Sequence, residues 1–214
     1  MQRETLIPEP LPPWLVQYPP LIERLTQVSP AFAQSKHQKP NHCLLNEYLP
    51  GQGIMPHEDG GAYFPCVATV SLGSYTLLDI YKWAEDGPKP SPSGPAADGA
   101  APPPAETRAR AREASPCFSI LQERRSLLIT TGGAYRNFLH GIAERRHDGS
   151  QQLATVINAE RLTDEELKKK VVAAVGGAKE NELELERQTR YSLTFRDVEK
   201  VSKGLGAFLA KGKR

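Results

Sequence analysis

Seven short runs dominate the hydrophobic pattern of the chain: 42–49 (HCLLNEYL), 66–73 (CVATVSLG), 75–82 (YTLLDIYK), 117–122 (CFSILQ), 126–131 (SLLITT), 135–140 (YRNFLH) and 190–197 (RYSLTFRD). Each is rich in apolar, aromatic or β-branched residues and is bounded by Gly, Pro or Ser, which is the signature of a strand. Seven such runs predict a mainly β sandwich or barrel, with side chains alternating between the interior and the outer face. The stretch SLLITTGGAYRNFLHGI (126–142) reads as strand, Gly-Gly turn, strand.

Three stretches depart from that pattern. Residues 1–40 read as an N-terminal arm: the first 20 carry six prolines and only short apolar clusters, with one helix expected near Pro20–Gln27. Residues 84–116 hold 8 of the chain's 19 prolines among Ala, Gly and Ser, and predict a disordered insertion. Residues 144–187 read as a charged helical insertion. Within it, Thr163-x-x-Glu166 precedes LKKKVVAAV and a Gly-Gly pair, a capping-box start and a glycine stop for a surface helix. The remainder of 41–214 reads as one folded domain, the default for this length.

Composition excludes more than it selects. The formal charge is +2 over 214 residues, too small to imply a polyanionic partner by itself. Its distribution adds one point: beyond Glu199 the chain has Lys200, Lys203, Lys211, Lys213 and Arg214 and no acidic residue. That tail suits phosphate contact or a solvated basic end. No stretch offers 18 consecutive apolar residues, so no membrane association is expected. The cysteines Cys43, Cys66 and Cys117 are odd in number and lack paired spacing, which fits a reducing compartment, with each a small buried apolar residue. Cytoplasm and nucleus are the expected locations.

Candidate chemistry begins at MPHEDG (55–60). In an extended segment His57 and Asp59 leave the backbone on one face, and two histidines with one carboxylate form the ligand set of non-haem Fe(II) oxygenases. With 5 His and 7 Asp in the chain, a His-x-Asp arises by chance in about one such sequence in six. A second histidine is needed, late in the strand series and facing inward. His140 meets that requirement, since alternation puts it on one face with Phe138; a core or surface histidine is the alternative. Such a site predicts that the ligating atoms of His57, Asp59 and His140 gather around one point.

An anion site is readable as well. In RYSLTFR, Arg190, Ser192, Thr194 and Arg196 fall on one face of a strand, with Tyr191, Leu193 and Phe195 on the other, where they can pack. Two inward guanidiniums are costly unless an anion meets them, and a guanidinium grips a carboxylate with two hydrogen bonds. The alternative is an edge strand whose arginines face water. Asn46 and Tyr48 share a face in the same way and can donate to the same carboxylates. The aromatic residues Tyr63, Phe64, Tyr75 and Trp83 near the proposed site are candidates either for stacking on a base or for packing.

In chain order, Asn-x-Tyr, His-x-Asp, His-Gly-Ile and Arg-x5-Arg, set in LPPWL, NHCLLNEYLPGQGIMPHEDG, VSLGSYTLLDIY, RRSLLITTGGAYRNFLHGI and RYSLTFRDV, resemble the AlkB-like Fe(II)/2-oxoglutarate-dependent dioxygenases, most of all the AlkB homolog 6 subgroup. The resemblance covers most of the chain outside the two insertions. It implies a double-stranded β-helix (jelly roll). It also implies Fe(II) on His57, Asp59 and His140, 2-oxoglutarate on Asn46, Tyr48, Arg190, Ser192 and Arg196, and O2 as oxidant. Some 40 residues precede Asn41, fewer than in AlkB-like proteins, which implies that much of the substrate lid is missing.

The implied reaction splits 2-oxoglutarate into succinate and CO2 and places oxygen on a C–H bond. An N-methyl group so oxidised breaks down to formaldehyde and the free amine. The expected function is demethylation of N-alkylated DNA or RNA, single-stranded or with the base flipped out. Two alternatives stay open: an oxygenase acting on a protein or small molecule, and a non-catalytic nucleic-acid or protein binder. The oligomeric state is not readable.

Overall fold

The computed structural model describes residues 10–17, 20–84, 111–177 and 183–201. Ten strands alternate with short helices: β1 (His42–Tyr48), β2 (Ile54–His57), β3 (Tyr63–Gly73), β4 (Thr76–Lys82), β5 (Phe118–Gln122), β6 (Ser126–Thr131), β7 (Phe138–Ile142), β8 (His147–Gly149), β9 (Glu184–Glu186) and β10 (Arg190–Val198). Eight of them form two four-stranded antiparallel sheets, in the orders β1-β10-β3-β6 and β2-β7-β4-β5. Two such sheets, wound so that the chain crosses between layers at every step but β4 to β5 and the β8–β9 excursion, are a jelly roll, the fold expected from the strand series.

The space between the sheets is a cavity, and the apolar cores lie outside it. On the first sheet, Leu193 and Phe195 of β10 with Cys66 and Ala68 of β3 turn outward. There they meet Leu15 of α1 (Pro13–Val16), Leu25 of α2 (Leu21–Val28) and Phe32. The arm therefore contributes two helices to one core, where the sequence predicts one. It is amphipathic only in short pieces, which hides α1. Tyr191, expected to pack beside Leu193 and Phe195, is 40% exposed.

On the second sheet, Leu77 of β4 and Leu121 of β5 pack against Leu153, Val156, Leu162, Val171, Ala174 and Leu185 of the 144–187 segment. That segment is more than a surface helix: α4 (Ser150–Leu153), α5 (Glu165–Val175) and the two-stranded β8–β9 ribbon close over the sheet. Its many charged residues mask this in the sequence, since the buried side is built from apolar residues scattered over α4, α5, β9 and the loops between them. The cap of α5 also differs from expectation. Asp164 is the N-cap, its carboxylate accepting from the Leu167 amide at 3.1 Å, while the Thr163 hydroxyl is bound to the Glu123 carboxylate. Aspartate caps as well as threonine, and Thr163 is held by a partner that sequence cannot show.

Two further departures matter locally. GGAYRN forms a helix, α3 (Gly132–Asn137), in place of a turn and the start of a strand, so β7 begins at Phe138. Gly132 adopts φ +57°, which turns the chain out of β6 at a conformation other residues resist. Cys117 is exposed, with its thiol donating to the Ile80 carbonyl, whereas Cys66 is buried and Cys43 half-buried.

The expected disordered insertion falls largely outside the described residues. Its flanks meet: Ala84 donates to the Ala111 carbonyl and Glu113 to that of Lys82, each at 3.0 Å. Among the described residues no helix is long and apolar enough to cross a membrane.

Candidate active site

Strand register puts the expected residues in facing rows. Across β1 and β10, Tyr48 pairs with Arg190, Asn46 with Ser192 and His42 with Arg196. In the opposite sheet His57 of β2 pairs with His140 of β7, and His140 pairs in turn with Ile80 of β4. Asn46, Tyr48, His57, Asp59, His140, Arg190, Ser192 and Arg196 all line a single cavity of about 240 Å³. That is below the roughly 300–1,000 Å³ of drug-sized sites and suits a small acid.

The approach of the two histidines depends on glycine. β2 is an edge strand, which tolerates Pro56, and its register to β7 shifts between Ile54 and His57. A Cβ on Gly141 would lie 2.9 Å from the Pro56 nitrogen, and one on Gly53 would lie 2.1 Å from the Ile142 carbonyl oxygen. Without side chains at these two positions, β2 lies close enough for the His57 and His140 rings to stand 4.5 Å apart, centre to centre.

His57 ends β2, and Asp59 follows in an irregular segment beyond the strand; the two residues line the same cavity. The Asp59 Oδ2 is 3.8 Å from His140 Nε2, and its Oδ1 is bonded by the Arg196 guanidinium. As they stand, no three His, Cys, Asp or Glu side chains among the described residues are gathered tightly enough to hold an ion.

The donor set nonetheless has the chemistry a metal needs. His57 Nδ1 lies 2.8 Å from the Met55 carbonyl, an acceptor only, so in the neutral ring Nδ1 carries the proton and Nε2 is the nitrogen with a lone pair to give. A backbone carbonyl fixing the far nitrogen in this way is the usual support of a metal-ligating histidine. Burial pushes His140 down to about 4, with the Asp59 carboxylate opposing, so its ring is neutral at neutral pH and also has a lone pair to give.

Arg190 is the most unusual group in the cavity. It is 4% exposed, its Nε donates to Ser71 Oγ at 2.8 Å and its Nη2 to Gln122 Oε1 at 2.6 Å. Its guanidinium lies over the Tyr48 ring at 5.5 Å. Among the described residues it pairs with no carboxylate. Burial lowers it to about 10, so it stays cationic at neutral pH. A guanidinium has five N–H donors and these bonds use two, which leaves a buried cation with donors to spare and no counter-ion. Arg196 differs: it is bonded to Asp59, stacks on the Tyr63 ring at 4.8 Å, and its buried Nε has no partner among the described residues.

Sequence reasoning missed the groups that orient these side chains. Ser71 and Gln122 hold Arg190; both face the cavity by strand alternation, which is the signal that points to them. The Tyr135 hydroxyl donates to the Gly60 carbonyl at 2.7 Å, and burial followed by the Asp59 charge raises its pKa to about 12. Of the aromatic candidates, Tyr63 and Trp83 adjoin the site, Trp83 donating from Nε1 to Glu58 at 2.9 Å. Phe64 packs in the outer core of the first sheet, and the Tyr75 hydroxyl is held by Asp148 and the Leu185 carbonyl.

Comparison with known proteins bears on the family. Residues 3–196 match the family model of the 2OG-Fe(II) oxygenase superfamily. The chain is 34% identical over 206 residues to the "Probable RNA/DNA demethylase ALKBH6" of Danio rerio, covering 96% of this chain and 70% of that protein. A 46-residue stretch is 46% identical to the "Uncharacterized protein L905" of Acanthamoeba polyphaga mimivirus, 21% of this chain and 22% of the viral one. Among solved structures, that of OsALKBH1 aligns at a TM-score of 0.35 and 15% identity over 83% of this chain and 61% of the other, less than two thirds of its length. Enzymes of this superfamily use Fe(II), 2-oxoglutarate and O2. With a family match over residues 3–196 and a 34% identical relative along most of its length, this chain belongs to the AlkB-like 2OG-Fe(II) oxygenases.

Proposed function

We propose that the chain is an Fe(II)/2-oxoglutarate-dependent dioxygenase that removes methyl groups from N-alkylated nucleic acid. In this reading His57, Asp59 and His140 hold the iron, and Asn46, Tyr48, Arg190, Ser192 and Arg196 receive the co-substrate. The observation that carries it is Arg190, a buried cation without a carboxylate partner among the described residues, in the same cavity as two imidazoles and a carboxylate. When bound, the iron and its co-substrate supply oxidation of a C–H bond.

The chain's residues account for the rest. Arg190, with Tyr48 and Asn46, receives the far carboxylate of the dicarboxylic acid. Ser71 and Gln122 keep the guanidinium from turning away. The apolar walls at Ile80, Ile120, Leu128 and Phe138 exclude water from the reacting end. Nucleic acid as substrate is supported by the name of the zebrafish relative and by the basic residues beyond Glu199.

The test is formaldehyde release from N-methylated oligonucleotides. A demethylase is expected to favour single-stranded or locally opened substrate over duplex, because flipping a stacked base costs a few kcal/mol. Binding should weaken steeply with salt, and removing residues 200–214 should flatten that dependence while leaving succinate formation intact. Succinate formation without formaldehyde from any methylated oligonucleotide would instead favour a protein or small-molecule substrate. Binding without turnover would favour a non-catalytic binder.

A further inference from the structure

The segment that carries Asp59 has little packing of its own. A Cβ added at Gly60 or Gly61 would meet no atom within 4 Å, and Gly60 sits at φ +87°. Two consecutive glycines have the greatest backbone freedom to lose, so the chain just beyond Asp59 is ordered only as far as other elements hold it. Three side chains do so, each from a different element. Arg196 of β10 bonds the Asp59 carboxylate. Trp83, just past β4, donates to Glu58 at 2.9 Å. Tyr135 of α3 donates to the Gly60 carbonyl at 2.7 Å.

Of the three, the Tyr135 bond alone grips main chain. Asp59 has His57, anchored in β2, two residues before it, and the Tyr135 bond one residue after it. With both sides fixed, the carboxylate can turn about its own side-chain bonds and little else.

We infer that Tyr135 is a positioning residue for the metal centre, holding the Asp59 backbone so that its carboxylate faces His57 and His140. The inference rests on the iron-binding reading of that triad. It also gives α3 a purpose: the six-residue helix between β6 and β7, absent from the sequence expectation, carries the phenol to the segment between β2 and β3.

The experiment is a Mn(II) titration of the full chain followed by electron paramagnetic resonance, comparing wild type with Tyr135→Phe, which removes one oxygen and retains the ring. Loss of an outer partner of a metal ligand typically weakens metal binding by about 10–100-fold. The expected result is a Mn(II) Kd raised by at least about tenfold, with the melting temperature of the metal-free protein unchanged and 2-oxoglutarate affinity at saturating Mn(II) near wild type, because Arg190 is untouched. An unchanged Mn(II) Kd overturns the inference. So does a raised Kd accompanied by a lower melting temperature and weaker 2-oxoglutarate binding, which would make Tyr135 a general structural support. Failure of the wild-type chain to bind Mn(II) at all would overturn the iron-binding reading itself, and this inference with it.

Discussion

Replacing Arg190 with Met is expected to weaken 2-oxoglutarate binding by at least about thirtyfold while leaving Mn(II) affinity near wild type. Removing one partner of a buried, hydrogen-bonded charge pair costs about 2–5 kcal/mol, and 2 kcal/mol corresponds to about thirtyfold in Kd. Met keeps an apolar stem and gives up the guanidinium, with its place over the Tyr48 ring. What it loses is the cation, which is 4% exposed and has no carboxylate partner among the described residues. Metal binding should be spared because Arg190 sits opposite Tyr48 on the first sheet, whereas His57 and His140 pair within the second. Isothermal titration with 2-oxoglutarate in the presence of Mn(II), beside a Mn(II) titration alone, separates the two. Equal loss of both affinities, or of neither, would count against the assignment of the anion site.

That site was legible because strand alternation is a rigid rule. RYSLTFR places Arg190, Ser192, Thr194 and Arg196 on one face, and the structure has all four lining the cavity, with Leu193 and Phe195 in the opposite core. Asn46 and Tyr48 followed from the same period, and β1 pairs them directly with Ser192 and Arg190. Less legible was anything set by long-range partners. The inward face of Arg196 follows from the alternation, but its bond to Asp59, 137 residues away in sequence, does not. The helix α3 hides in GGAYRN because six residues are too few to show a 3.6-residue period, and β2 hides because a four-residue strand containing Pro56 lacks the usual alternation. The 144–187 segment read as a polar surface element since its apolar residues are scattered among charged ones, and the sheet it covers is formed by residues far earlier in the chain.

Replacing Asp148 should be the most destabilising change outside the cavity. Its side chain is fully buried, and both carboxylate oxygens accept from Arg187, at 2.6 Å from Nε and 2.7 Å from Nη2. The Tyr75 hydroxyl donates to it at 3.1 Å, and Arg145 Nε lies 3.2 Å away while its Nη2 bonds Asp79. This cluster joins β4 to the β8–β9 ribbon and so fastens the covering segment to the second sheet. Asp148→Ala leaves Arg187, itself 4% exposed, as an unpaired buried cation. Breaking a buried pair in this way costs about 3–5 kcal/mol, which for a chain of this size lowers Tm by roughly 6–20 °C. Replacing Asp148 and Arg187 together with apolar residues of similar volume should recover much of that loss, because the pair itself is close to neutral against a packed apolar substitute. A double variant no more stable than Asp148→Ala would show that Asp148 acts through contacts other than Arg187.

The cavity should turn over 2-oxoglutarate independently of any substrate. The direct measurement is succinate formation from 2-oxoglutarate by the purified chain with O2, with and without added Fe(II), beside His140→Ala. The expected result is slow succinate release that requires Fe(II), is abolished by chelation, and is lost in His140→Ala, since one of the two imidazole donors is then missing. Succinate formation that persists in His140→Ala, or its absence in a wild-type chain shown to be folded and to bind both metal and 2-oxoglutarate, would contradict the assignment of the catalytic centre.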